Sequence, residues 1–213
     1  QFEGINTVQH FLTASILSVP GAIMYAEIMY PSEEITHQIE DIKEEKIYSG
    51  SMDAITKGTK DGLSIAVNVA AILISVLALV SIVDGILGLI STDLSLQKIL
   101  GYIFTPISWL MGVPWSEVSG AAELLGIKIA TNEFVAYIQL GSLDPALFSD
   151  RTKVIVLYAL CGFANFSSVG ILISGIGSMA PERIPDLIQV SGKALVGATL
   201  ASCLTGLVAG LFV

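Results

Sequence analysis

The feature that most constrains this chain is a set of four long tracts with almost no charge. They run His10–Tyr30, Ile65–Ile90, Lys153–Met179 and Leu187–Val213. A helix needs about 20 mostly apolar residues to cross the hydrocarbon core of a bilayer, and each tract is long enough. Composition points the same way. The 213 residues are 53% hydrophobic and only 14% charged, whereas a soluble domain carries about a quarter charged residues. There are too few charges to cover a globular surface, so the chain reads as an all-α membrane protein.

The charge is also segregated. Pro31–Gly62 holds eight acids and four lysines, and the long tracts hold almost none. The net charge of −9 argues against a nucleic-acid partner, which would need a basic face. Cys161 and Cys203 lie in separate apolar tracts. They read as small hydrophobes, neither a disulfide framework nor a metal site. The sequence starts at Gln1 without a cleavable signal, so it is expected to begin partway through a longer protein.

Each tract has its own character. Pro20 and Gly21 predict a kink in the first. Ile65–Ile90 is the cleanest span. The fourth is rich in small residues (Gly192, Gly197, Ala201, Ser202, Gly206, Gly210 among them), which suit close helix packing in lipid. Lys98–Trp115 is apolar but is expected to be broken by Pro106 and closed by Gly112 and Pro114. Its Tyr102, Trp109 and Trp115 favour a helix at the membrane boundary. Ser116–Leu143 is too polar for a lipid-facing span and too apolar for a solvated loop. Two short helical halves meeting near "ATNEF" would make a re-entrant hairpin, which is tolerated only inside protein or beside a water-filled cavity. If the acidic loop is cytoplasmic, five basic loop residues fall inside and three outside, a positive-inside balance that puts Val213 outside.

Ionisable residues at membrane depth are functional candidates by default. Glu27 and Asp84 sit near span ends and read as solvated. Glu123 and Lys128, five apart, read as structural: a pair, or part of the hairpin surface. Glu133 falls at the hairpin break. There it can accept two hydroxyl hydrogen bonds or cap a helix start, and both roles are open. In the third tract, Asn165 and Ser168 are three apart and share a helix face. Gly162 and Gly170 flank them, and local unwinding would aim Phe163, Asn165 and Ser168 into one cavity. The competing role is bonding to neighbouring helices or to their own backbone. The set Glu133, Phe163, Asn165 and Ser168 suits a neutral polyol with an aromatic part, because an anion would find no counter-charge except Lys128. A channel would need repeated polar rings, and an enzyme a nucleophile beside a base. Neither is visible, and His10 and His37 pair with no serine. A carrier or channel for another neutral polar solute remains the alternative.

Several motifs together resemble the concentrative nucleoside transporter family: "TNEFVAY" (131–137), "CGFANFSSVGI" (161–171), "GSMAPER" (177–183), "GVPWSE" (112–117) and "SVPGAIMYAEIMYP" (18–31). The resemblance covers nearly the whole chain in order, apart from the acidic loop. It implies a sodium- or proton-coupled nucleoside importer in the cell (inner) membrane, usually a homotrimer, built from two inverted repeats and working by alternating access. This chain looks like the second repeat. On that reading 1–30 is a kinked transmembrane helix and 31–62 an acidic cytoplasmic connector. A scaffold transmembrane helix (63–92), an interfacial helix (93–114) and the re-entrant hairpin (115–143) follow. The broken transmembrane helix is 150–180 and the last transmembrane helix 185–213, giving four transmembrane helices in all. The resemblance assigns Glu133, Asn165 and Ser168 to ribose and Phe163 to the nucleobase. The family's first hairpin and its sodium ligands are absent from this sequence. No metal is therefore expected in this segment, no covalent cofactor is implied, and the coupling cation, Na+ or H+, is expected to bind in the other half.

Overall fold

The computed structural model describes residues 7–31 and 49–213. Among them all regular structure is helical. α1 spans Thr7–Met29, α2 Ser51–Ile90, α3 Leu96–Leu110, α4 Val118–Ala130 and α5 Glu133–Ser142. A 3-10 turn at Pro145–Leu147 leads to α6, Asp150–Leu160. Then come α7, Phe166–Met179, a second 3-10 turn at Pro181–Arg183, and α8, Ile184–Gly210.

Length sorts these helices. α1, α2 and α8 are long and apolar enough to cross a membrane. The 40 residues of α2 extend about 60 Å, roughly twice the hydrocarbon thickness. The third tract is no single helix. It divides into α6 and α7, of 11 and 14 residues, each about half to two-thirds of a bilayer core long. α4 and α5, with 13 and 10 residues, are likewise too short to cross alone.

Three expectations are corrected. Pro106 does not break its segment: α3 runs through it, as α1 runs through Pro20. Both prolines lie on exposed faces, so the hydrogen bond each one deletes is on the outer side and the buried-face bonds continue. The connector 31–62 is not loop throughout, because 51–62 is helical and continuous with the span; positions 32–48 lie outside the described residues. Asp84 is not a solvated acid. Its carboxylate accepts the Leu96 N–H at 2.7 Å and Gln97 Nε2–H at 3.1 Å. The first N–H groups of α3 have no partner within their helix, and the end of α2 supplies one.

The core lies among α3, α4, α6 and α8, where Phe104, Val118, Leu124, Ile155, Leu160 and Cys203 are buried together. Glycines permit this closeness. A Cβ on Gly126 would overlap the Gln97 carbonyl and come within 2.7 Å of the Gly101 nitrogen, so α3 and α4 touch backbone to backbone. On α8, a Cβ on Gly206 would lie 2.7 Å from the Ile155 carbonyl of α6. The small-residue stripe is therefore used unevenly, since Gly192 has open space around it. α1 packs on α8, and α2 reaches α7 through Ile72 against Gly170. Gly112, at φ 93, turns the chain after α3 in the left-handed region where a side chain would strain the backbone.

Candidate functional site

The site is built from two interruptions. The first is Thr131–Asn132, linking α4 to α5. Asn132 Oδ1 accepts the Val135 N–H at 2.9 Å, an N-cap that makes Glu133 the first residue of α5. The second is the unwound stretch between α6 and α7. There Asn165 Oδ1 accepts the Ser168 N–H at 2.7 Å and Ser168 Oγ accepts the Asn165 N–H at 3.0 Å. This capping box satisfies donors that an interrupted helix leaves bare, which matters most where no water reaches. The polar residues within "CGFANFSSVG" thus have a local cause.

The two interruptions meet. Asn165 Nδ2 donates to Glu133 Oε2 at 2.7 Å, and Ser167 Oγ donates to the Thr131 carbonyl at 3.2 Å. Farther along, Tyr137 OH donates to the Leu157 carbonyl at 2.9 Å and Lys128 Nζ to the Ala159 carbonyl at 2.8 Å. The apex of the α4–α5 pair is therefore bonded to both ends of the break in the neighbouring helix.

The four residues singled out from sequence take different positions. Glu133 is half-buried, and its Oε1 makes no hydrogen bond among the described residues. Asn165 and Ser168 are buried, at 0% and 2% exposure. Phe163 is 52% exposed. Unwinding was expected to turn Phe163, Asn165 and Ser168 into one cavity. Phe163 and Ser168 do border a common cavity of about 240 Å³ between α7 and α8, otherwise walled mainly by aliphatic side chains such as Leu172 and Leu187. Asn165 does not line it, because its cap geometry folds the side chain along its own backbone and turns the amide to Glu133. Phe163 also borders a smaller, more polar cavity of about 180 Å³ with Ser15, Ser18, Cys161, Ser202 and Thr205. His10 Nδ1 lies 2.9 Å from Tyr158 OH, and no serine joins it among the described residues; His37 lies outside them.

Sequence reasoning underrated Lys128. It does not pair with Glu123, which is exposed on another face, while Lys128 is 1% exposed. The signal was a single charge inside the apolar run "LLGIKIA": a lysine so flanked must point inward on a packed helix and find a carbonyl. Ser167 and Tyr137 were also passed over, and only the folded geometry identifies their partners.

Comparison with known proteins is consistent along the chain. The family described as Na+ dependent nucleoside transporter C-terminus matches residues 10–210. Nucleoside permease NupC of Helicobacter pylori is 38% identical over 213 residues, covering 96% of this chain and 51% of that protein. The solved structure of CNTnw in an inward-facing substrate-bound state superposes with a TM-score of 0.76 at 38% identity, over 95% of this chain and 50% of that one. A doubly substituted CNTnw in an outward-facing state superposes at 0.81 and 36% identity, again over 95% and 50%. The chain thus spans about half the length of these relatives. Membership in a transporter family, with long apolar helices, makes it part of an integral membrane protein. A match over residues 10–210, carried into three dimensions at this similarity, makes the chain a member of the concentrative nucleoside transporter family, in its C-terminal portion.

Proposed function

We propose that the protein containing this chain imports nucleosides across the cell membrane, coupled to Na+ or H+ as co-substrate, with this chain as the second of two inverted repeats. In this reading α4 and α5 form a re-entrant hairpin, α6 and α7 a broken transmembrane helix, and α3 an interfacial helix. The exposed apolar length of α2 faces lipid and neighbouring protomers of a homotrimer. The observation that carries the reading is the 2.7 Å bond between Glu133 and Asn165, which ties hairpin apex to helix break at the one accessible carboxylate of the apex.

The chemistry suits the sugar of a nucleoside. Asn165 holds one oxygen of Glu133 and leaves the other free to accept from a ribose hydroxyl. Ser168 acts through the capping box that sets the amide. Phe163, half-exposed beside them, offers a ring face and edge to the nucleobase. The ligand is neutral, so Glu133 binds by accepting hydrogen bonds rather than by pairing charges. Alternating access would move the hairpin and broken helix together against the long helices. The bonds of Ser167 to Thr131, Tyr137 to Leu157 and Lys128 to Ala159 support their moving as one body.

Uptake of radiolabelled nucleoside into proteoliposomes containing the whole transporter tests the reading. Wild-type protein is expected to concentrate nucleoside under an inward Na+ or H+ gradient. Glu133→Ala is expected to lower uptake by about 100-fold or more, since charge-assisted hydrogen bonds contribute roughly 1.5–3 kcal/mol each, with protein level unchanged. Normal uptake by that variant would overturn the ribose role.

A further inference from the structure

Lys128 has no part in ligand binding in the reading above, yet it is the largest fully buried side chain among the described residues. A lysine ammonium has three donors, and this one makes a single hydrogen bond, to the Ala159 carbonyl at 2.8 Å. No carboxylate lies in ion-pair contact with it, for none of the ion pairs among the described residues includes it. A buried charge with so little direct compensation is costly and needs a cause.

The cause is the arrangement of helix ends. Lys128 lies in the last turn of α4, and its ammonium reaches the last turn of α6. Two helix C-termini, each carrying partial negative charge, therefore converge on it. Glu133 is the mirror case. It is the first residue of α5, and through Asn165 it bonds the start of α7, so two helix N-termini, with partial positive charge, converge on it. The two side chains are five residues apart across one apex, on the adjoining ends of α4 and α5, and opposite charges so placed attract.

We propose that Lys128 is a positioning residue for nucleoside binding: a tethered cation that joins the ends of α4 and α6 and holds the Glu133 carboxylate correctly placed against Asn165. The proposal rests on the reading of Glu133 as the ligand-binding acid. It differs from simple capping, because a neutral donor at 128 that reached the Ala159 carbonyl would keep that bond but remove the field felt by Glu133.

The test is a double-mutant cycle on the whole purified transporter, with uridine and adenosine dissociation constants as the readout. Glu133→Gln is expected to weaken binding about 30-fold and Lys128→Gln about tenfold. The double variant is expected to fall within about twofold of Glu133→Gln alone, because residues acting through one contact are not additive. Lys128→Arg, which keeps charge and donor, is expected to restore binding to within about threefold of wild type. If Lys128→Gln binds like wild type, or its effect multiplies with that of Glu133→Gln, the positioning role is overturned and Glu133 keeps its own. If Glu133→Gln binds like wild type, the functional reading itself fails, and this proposal with it. Should Lys128→Gln not accumulate, Lys128→Arg carries the test: near-native binding supports the role. Arginine binding tenfold more weakly, or also failing to accumulate, reduces Lys128 to a folding residue and overturns the proposal.

Discussion

α2 and α4 have similar hydrophobic character and opposite fates. Of the 40 residues of α2, only Val80 is buried within the chain. Of the 13 of α4, nine are buried, Lys128 among them. In α4, close contact is made by what is missing, a side chain at Gly126. In α2, Gly85 and Gly88 have nothing within reach. Hydrophobicity therefore says that a segment leaves water but not what it meets. α2 turns most of its surface away from the rest of this chain, while α4 is held between α3 and α6 and carries its polar groups to one apex.

The contrast can be broken at three points. The largest effect is expected from Gly126→Leu. Its side chain would meet the Gln97 carbonyl and the Gly101 backbone, which cannot move aside as a side-chain tip can. The overpacking cost exceeds the usual ~1–3 kcal/mol, so folded, monodisperse protein should be lost on size-exclusion chromatography. Recovery of normal protein would mean that α3 and α4 are not in backbone contact.

Asn165→Asp comes next. The aspartate still caps α7 through Ser168, but it sets a like charge where an amide donated to Glu133 at 2.7 Å. Helix content by circular dichroism should hold. Nucleoside affinity should fall by about 30-fold or more, the equivalent of roughly 2 kcal/mol. Unchanged affinity would detach the helix break from the binding role.

The smallest effect is expected from Gly85→Ala on α2. With open space around the site and a better helix former in place, thermal stability should be unchanged or higher by up to about 1 kcal/mol. Clear destabilisation, or a loss of higher-order assembly, would place a partner against α2 and sharpen the contrast in that direction.

Much of this was legible beforehand. Continuous apolar length marked α1, α2 and α8, because the bilayer imposes one dimension on every span. "ATNEF" and "CGFANFSSVG" marked the two interruptions, because cap residues within apolar runs are costly unless a helix starts there. Pro106 misled as a break, since a proline on an exposed face deletes a bond the helix does without. Asp84 misled as well: its partners, the N–H of Leu96 and the amide of Gln97, begin a helix whose return onto α2 no local pattern reveals.

By itself, then, the sequence determined that this chain belongs in a membrane, where two of its helical runs are interrupted, and which family it resembles, because these depend on length, local caps and motif. Tertiary structure alone decided that the amide of Asn165 is turned to Glu133 rather than into the cavity beside Phe163, and that Lys128 sits against the end of α6. Those contacts join residues 31 and 32 positions apart. Their reach depends on how closely the helices approach: Gly206 sets the distance of α8 from α6 and Gly126 that of α4 from α3, and each does so only once both partners are in place.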